Sequence, residues 1–344
     1  MRILVVGGGP VGLFAATFAA VRGHSVSVLE RREGDGDKAC GEGLMPTAVR
    51  DLAAIGVHPQ GWPFRGIRYL DATGQHQVRA DLRSGPGLGV RRTELVRALR
   101  ARAESSGVEL LRATVVDVQT SGDLATVEDA DGHSWDAELV LGCDGLASTV
   151  RRAIGVEAQT SGPTRYGLVA HFAVRPWTFD VEVHWGRTGE AYVTPLGEEL
   201  IGVALLGGRG EPFRDRVLEL SALEARLSGA APVGRVLGAG PMHRRAVTPV
   251  RGRVALVGDA AGYVDALTGE GLAIGFRGAD AAVRSAEQGD LASYANDWRT
   301  ITKRPDRLTG ALVRSSSSGN VRRWIVPAAE LAAPVFRRLV GVLG

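Results

Sequence analysis

The chain has 344 residues, 44% of them hydrophobic, enough for a sizeable core and a length more natural for two interleaved domains than for one. Its net charge of +3 comes from a small excess of arginine spread along the chain rather than from a basic block, which argues against a nucleic-acid partner. Cys40 and Cys143 form no CxxC pair, so neither a disulfide framework nor a zinc site is expected and a reduced, cytoplasmic setting is. No cleavable leader is expected before the first strand, and no transmembrane segment, since no apolar run approaches the ~20 residues of a span.

The first element is RILVV (2–6), a β-branched run of buried parallel-strand type leading directly into GGGPVGLFAATFAAVRG. Gly7, Gly9 and Gly12 fit G-x-G-x-x-G, where the first glycine permits the turn, the second lets backbone approach a pyrophosphate and the third lets helix pack on strand. Gly23 closes the helix and SVSVLE (25–30) reads as a second strand ending in Glu30, an acid placed to accept hydrogen bonds from an adenosine ribose. The combination predicts dinucleotide binding and fits NAD or FAD equally.

After that strand comes DKACGEGLMP (37–46). Gly41 and Gly43 allow close backbone approach, and Lys38, Met45 and Pro46 are candidates to face a bound cofactor. The alternative is a loop that leads into the helix TAVRDLAAIG, which Pro46 would start well. FRGIRYLDATGQHQVRADL (64–82) alternates like a hairpin around Thr73-Gly74, and Arg92 opens the next helix. AELVLGCDGLASTVRRAIG (137–155) is a strand, then Asp144-Gly145, then a helix with Ser148 and Arg151 on its first turns. Residues 158 to 245 hold four strand-like runs and one amphipathic helix, FRDRVLELSALEARL. Their aromatics Tyr166, Phe172, Trp177, Trp185 and Tyr192 are candidates for core or for an apolar substrate cavity, and His171 and His184 read as satisfied structural histidines or substrate contacts. GRVALVGDAAGYVDALTGEGLAIGFRGADAAVRSA (252–286) repeats the strand-to-helix theme around Asp259 and Gly271. Asp259 could bind a ribityl hydroxyl or simply cap a helix, while a helix starting near Gly271 would aim its positive end at an anionic reduced ring.

These three motifs, in this order, resemble the FAD-dependent oxidoreductases of the aromatic hydroxylase and geranylgeranyl reductase superfamily over about residues 1 to 310. The resemblance implies an α/β fold: a Rossmann-like FAD domain, a parallel sheet with a β-meander, formed by 1–66, 83–157 and 246–310. An inserted α+β substrate domain (67–82 and 158–245) and a C-terminal helical segment (311–344) complete it. It also implies that Arg92 lies beside the FAD phosphates and Asp144 near the pyrophosphate, unless Asp144 is only a turn and cap. Arg31, Val116, Gly258, Gly269 and Leu272 complete the implied cofactor-binding positions.

With no second G-x-G-x-x-G, NAD(P)H is expected as a transient co-substrate. The implied activity is an NAD(P)H-consuming monooxygenase that uses O2, through a C4a-hydroperoxyflavin, to hydroxylate or epoxidise a small apolar aromatic or unsaturated natural product. The alternative is a reductase of isoprenoid double bonds, since KACGEGL and DALTGEGLAIG resemble the geranylgeranyl reductase branch although Ala266 replaces a common proline. The Trp-x-Trp-x-Ile-Pro signature of flavin halogenases is absent, and no metal site or side-chain acid or base is implied. The tail VRRWIVPAAELAAPVFRRLVGVLG reads as a packed helix, a lid or a membrane-surface contact.

Overall fold

The computed structural model describes residues 1–34, 36–160, 164–316 and 319–341. Its centre is a six-stranded sheet in the order Val250–Arg251, Val254–Leu256, Leu139–Gly142, Arg2–Val6, Ser25–Glu30 and Glu109–Arg112. All neighbours are parallel except the first pair. Arg2–Val6 and Leu139–Gly142 are buried on both faces, which explains why they read as unbroken apolar runs rather than as alternating ones. Helix Pro10–Val21 begins with proline, whose missing N–H is harmless there, and stops at Gly23 with φ 87°. It packs on helix Gly271–Glu287 through Phe14 and Phe276, whose stacked rings lie 4.3 Å apart. A meander of Val115–Ser121, Leu124–Asp129 and Ser134–Ala137 leads into the central strand.

A seven-stranded mixed sheet runs Pro232–Ala239, Tyr166–Phe172, Leu200–Gly207, Gly189–Gly197, Asp180–Trp185, Gly66–Asp71 and Gln77–Asp81. The hairpin read around Thr73-Gly74 forms its far edge. Its two faces divide by strand alternation. Phe172, Val193 and Leu205 face one side with Trp177, beneath Phe213, Val217 and Leu223 of two short helices. Here one expectation is corrected: FRDRVLELSALEARL is not a single helix but Phe213–Leu218 and Ser221–Leu227, broken at Glu219 and Leu220 so that Leu220 also turns into the core. The other face presents Tyr69, Val183, Trp185 and Tyr192, covered by Leu267 and by Val313, Ile325 and Val326 of the C-terminal helices. Of the five candidate cavity aromatics, only Trp185 and Tyr192 join this cluster, whereas Phe172 and Trp177 belong to the opposite core.

Candidate functional site

The three motifs lie at the carboxyl ends of three adjacent parallel strands, the position where open α/β sheets bind ligands. The backbone joins them directly. Cys143 N–H donates to the Val6 carbonyl at 2.8 Å and Val257 N–H to the Gly142 carbonyl at 2.9 Å.

The fingerprint glycines have three different reasons to be glycine. Gly7 has φ 107°, and a Cβ there would lie 2.6 Å from the Cys143 carbonyl oxygen. A Cβ on Gly12 would lie 1.9 Å from the Gly7 carbonyl oxygen. A Cβ on Gly9 would meet only Arg92 Nη2, at 3.6 Å. Gly7 and Gly12 are therefore fixed by the protein's own packing, while Gly9 keeps open a space walled by a guanidinium, as a pyrophosphate requires. Arg92 Nε is buried without a hydrogen-bond partner, a free donor beside that space.

Glu30 accepts from Gly8 N–H at 2.7 Å and from Arg32 N–H at 2.9 Å, fixing the fingerprint turn while each oxygen retains a lone pair for a ribose hydroxyl. Arg31 is exposed beside it, and Val116 is half-exposed on the meander's first strand. Asp259 sits in a 3-10 turn after Gly258, which has φ 61°. Burial pushes the Asp259 carboxyl up to about 6, and Arg92 and Lys38 pull against that shift. Lys38 is exposed at the rim, and its pKa is lowered by partial desolvation and then by Arg92 and Arg32. Lys38, Arg92 and Asp259 are thus brought close enough for the two cations to act on the carboxyl.

Asp144 does two things. Its Oδ2 accepts from Thr149 N–H at 2.6 Å and Val150 N–H at 3.1 Å, so the cap alternative holds for that oxygen. Its Oδ1 is buried with no partner. Gly269 has φ 68° and, with Gly271, brackets the start of helix Gly271–Glu287, while Leu272 packs against the core. Met45 and Pro46 are buried: Pro46 is the first residue of helix Pro46–Ala54, and Met45 packs with Phe64, Leu82 and Val181 near Gly269. The helix-starting alternative for Pro46 is therefore realised. A small cleft, open to solvent, is lined by Asp259, Gly262, Tyr263, Asp265, Thr268 and Gly271 among others.

Several residues of the site escape sequence reasoning. Glu42, at φ 57°, accepts from the Arg92 N–H at 2.8 Å through Oε1, and its Oε2 lies 2.6 Å from His171 Nε2. Thr194 donates to the Gly41 carbonyl at 2.8 Å, and Tyr192 to the Leu267 carbonyl at 3.1 Å. Buried Arg151 donates to the Ala260 carbonyl at 2.8 Å and the Leu146 carbonyl at 2.9 Å, tying the Asp144 loop to the Asp259 turn. Glu42 carried the signal of a charged residue between glycines, Arg151 that of a charged residue at a helix start, and His171 and Tyr192 stood out by residue type; Thr194 carried none, and the pairings themselves cross more than 70 residues of chain.

Residues 1–204 match the family model described as FAD binding domain. A menaquinone reductase of Mycolicibacterium smegmatis is 30% identical, across 87% of this chain and 79% of that protein. A digeranylgeranylglycerophospholipid reductase 1 of Methanopyrus kandleri is 31% identical, across 86% and 85%. The solved structure of p-nitrophenol 4-monooxygenase from Pseudomonas putida superposes with a TM-score of 0.83 at 19% identity, over 98% of this chain and 96% of that one, and so shares the fold. The open space at Gly9, the unpartnered Arg92 Nε and Asp144 Oδ1, and the Glu30 and Asp259 carboxylates fit FAD. The chain is an FAD-dependent oxidoreductase and belongs to the family whose model is described as FAD binding domain.

Proposed function

We propose that the chain is a flavin-dependent reductase of isolated double bonds in an isoprenoid chain. The observation that carries this reading is the relatedness to a menaquinone reductase and a digeranylgeranylglycerophospholipid reductase, at 30% and 31% identity across 87% and 86% of the chain. The monooxygenase expected first from the sequence has support at the level of fold.

The electrostatics favour the same reading. Burial raises the carboxyl groups of Asp259 and Asp265 and the phenol of Tyr263, all lining the cleft, so the cleft disfavours new anions. An environment of that kind suits an uncharged alkene better than a phenol that must ionise to react. Bound FAD, reduced by a nicotinamide or another donor, supplies the hydride. Arg92, Lys38 and Asp259 anchor it, and the N-terminus of helix Gly271–Glu287 offers N–H groups and positive potential to its ring. Tyr69, Val183, Trp185 and Tyr192 form a packed apolar layer under Leu267, beside Asp265 and Thr268 of the cleft lining, and exclude water from that side. Saturating a C=C bond also requires a proton, and Tyr263 Oη in the cleft and Cys40 Sγ in the glycine-hinged loop both hold theirs at neutral pH, each raised first by burial.

Anaerobic mixing of the photoreduced FAD protein with a menaquinone bearing an unsaturated side chain tests the reading. Reoxidation of the flavin is expected, with a product that, after its quinone ring has been reoxidised, is still two hydrogens heavier in the isoprenoid side chain. A reduced flavin that stays reduced against every isoprenoid alkene offered contradicts it.

A further inference from the structure

The C-terminal helices Ile325–Leu331 and Ala333–Val340 carry two stripes of opposite fate. Val326, Ala329, Ala333, Phe336 and Val340 recur at helical spacing and face inward, and the last four pack with Val78 and Ala80 of the seven-stranded sheet. The Phe336 ring meets the Tyr69 ring edge-on at 4.9 Å, and Val326 packs with Trp185 and Leu267 in the buried cluster over the sheet. The outward stripe is as apolar as the inward one. Trp324, Leu331 and Val335 are 60%, 90% and 59% exposed, and Trp324, Ala328 and Leu331 are spaced to share one helix face. Exposed apolar side chains that stand singly need no explanation, but a helical stripe of them does.

Charge indicates what covers this stripe. Arg323, Arg337 and Arg338 are exposed on the same segment. Its one acid, Glu330, is engaged by His76 Nδ1 at 2.8 Å. Arg323 lies over the Trp324 ring at 5.8 Å and Arg337 Nε reaches the Arg79 carbonyl at 3.4 Å, yet all three arginines stay exposed and, among the described residues, none meets a carboxylate of the segment. Tryptophan, leucine and valine projecting between such arginines match an anionic lipid surface, in which the apolar residues enter the acyl boundary and the guanidinium groups meet phosphate.

We infer that this C-terminal helix pair is an interfacial membrane anchor, docking the protein through Trp324, Leu331 and Val335 on anionic bilayers. The anchor is also the cover of the apolar sheet face, so docking sets that face next to the lipid phase. This inference rests on the reading of an isoprenoid-lipid substrate, yet it can fail separately.

The test is flotation of the FAD-loaded protein with vesicles of pure phosphatidylcholine and of phosphatidylcholine with 30% phosphatidylglycerol, the latter composition being roughly that at which surface charge is felt. Binding to the anionic vesicles alone is expected, lost at high salt, with a blue-shifted emission that Trp324→Phe removes. Arg338→Glu should weaken binding about fivefold or more and Leu331→Asp about tenfold, both positions being exposed enough to leave folding intact. Turnover of a short, water-soluble allylic alkene should be unchanged in both variants, while turnover of vesicle-borne substrate falls. Equal binding by the variants, no flotation with either vesicle, or a dimer that Leu331→Asp dissociates would overturn the anchor. If vesicles bind but no alkene is reduced, the anchor stands and the reductase reading falls.

Discussion

Glu42 Oε2 and His171 Nε2 lie 2.6 Å apart, both residues buried, and join the glycine-hinged loop beneath the cofactor site to the seven-stranded sheet. The same carboxylate receives the Arg92 N–H, so one side chain sets the positions of the loop, the sheet and the helix that carries the phosphate-facing arginine. His171→Ala leaves Glu42 Oε2 without its partner while Oε1 keeps the Arg92 N–H and Arg91 Nε at 3.3 Å, and should destabilise the apoprotein by about 1 to 3 kcal/mol. Urea unfolding measures this. His171→Ala with Glu42→Gln should recover part of the loss, and FAD should bind more weakly in both proteins because Arg92 loses its brace. Unchanged stability in His171→Ala would contradict the coupling.

The fingerprint glycines should respond unequally to alanine. Gly12→Ala drives a methyl into the Gly7 carbonyl and should prevent the turn from closing, giving little folded protein. Gly9→Ala meets no backbone, so the protein should fold with near-normal stability yet lose FAD affinity by about tenfold or more, as read by fluorescence quenching of titrated FAD. Equal folding yields would show that packing does not separate the two.

Asp259 carries a pH dependence whose sign follows from its raised carboxyl. The folded apoprotein holds the proton up to about pH 6, whereas the unfolded chain releases it near 3.8. Between those values the unfolded state binds fewer protons, so apoprotein stability falls as pH rises and is lowest above about 6. Asp259→Asn should remove this decline and stabilise the apoprotein by about 1 to 2 kcal/mol at pH 7.5, allowing for its partial exposure. The same change should weaken FAD about 10- to 100-fold by removing a charge-assisted hydrogen bond, and Glu30→Ala should do likewise.

The parts legible in sequence are those where local chemistry and global fold coincide. Gly7, Asp144 and Asp259 each follow an apolar strand, and parallel strands with crossover helices bring such ends to one edge of the sheet. What was hidden is pairing at long range. Nothing local marks His171 as the partner of Glu42, 129 residues away, or Thr194 as the donor to Gly41. The break at Glu219 and Leu220 also has no glycine or proline to announce it. The strand Pro232–Ala239 is largely exposed at the sheet's edge and contains two glycines, so it lacks the apolar alternation that marks its neighbours.

The central claim is that the reduced cofactor delivers hydrogen, and not oxygen, to carbon. One measurement separates these outcomes: turnover of an unsaturated menaquinone under labelled O2 in D2O, with the product mass resolved. With the quinone ring reoxidised before analysis, the expected product gains two carbon-bound hydrogens per side-chain double bond, at least one of them deuterium when the proton is drawn from exchangeable groups such as Tyr263 Oη or Cys40 Sγ, and no labelled oxygen. A product that carries one labelled oxygen atom, formed only in the presence of O2, would contradict it and restore the monooxygenase.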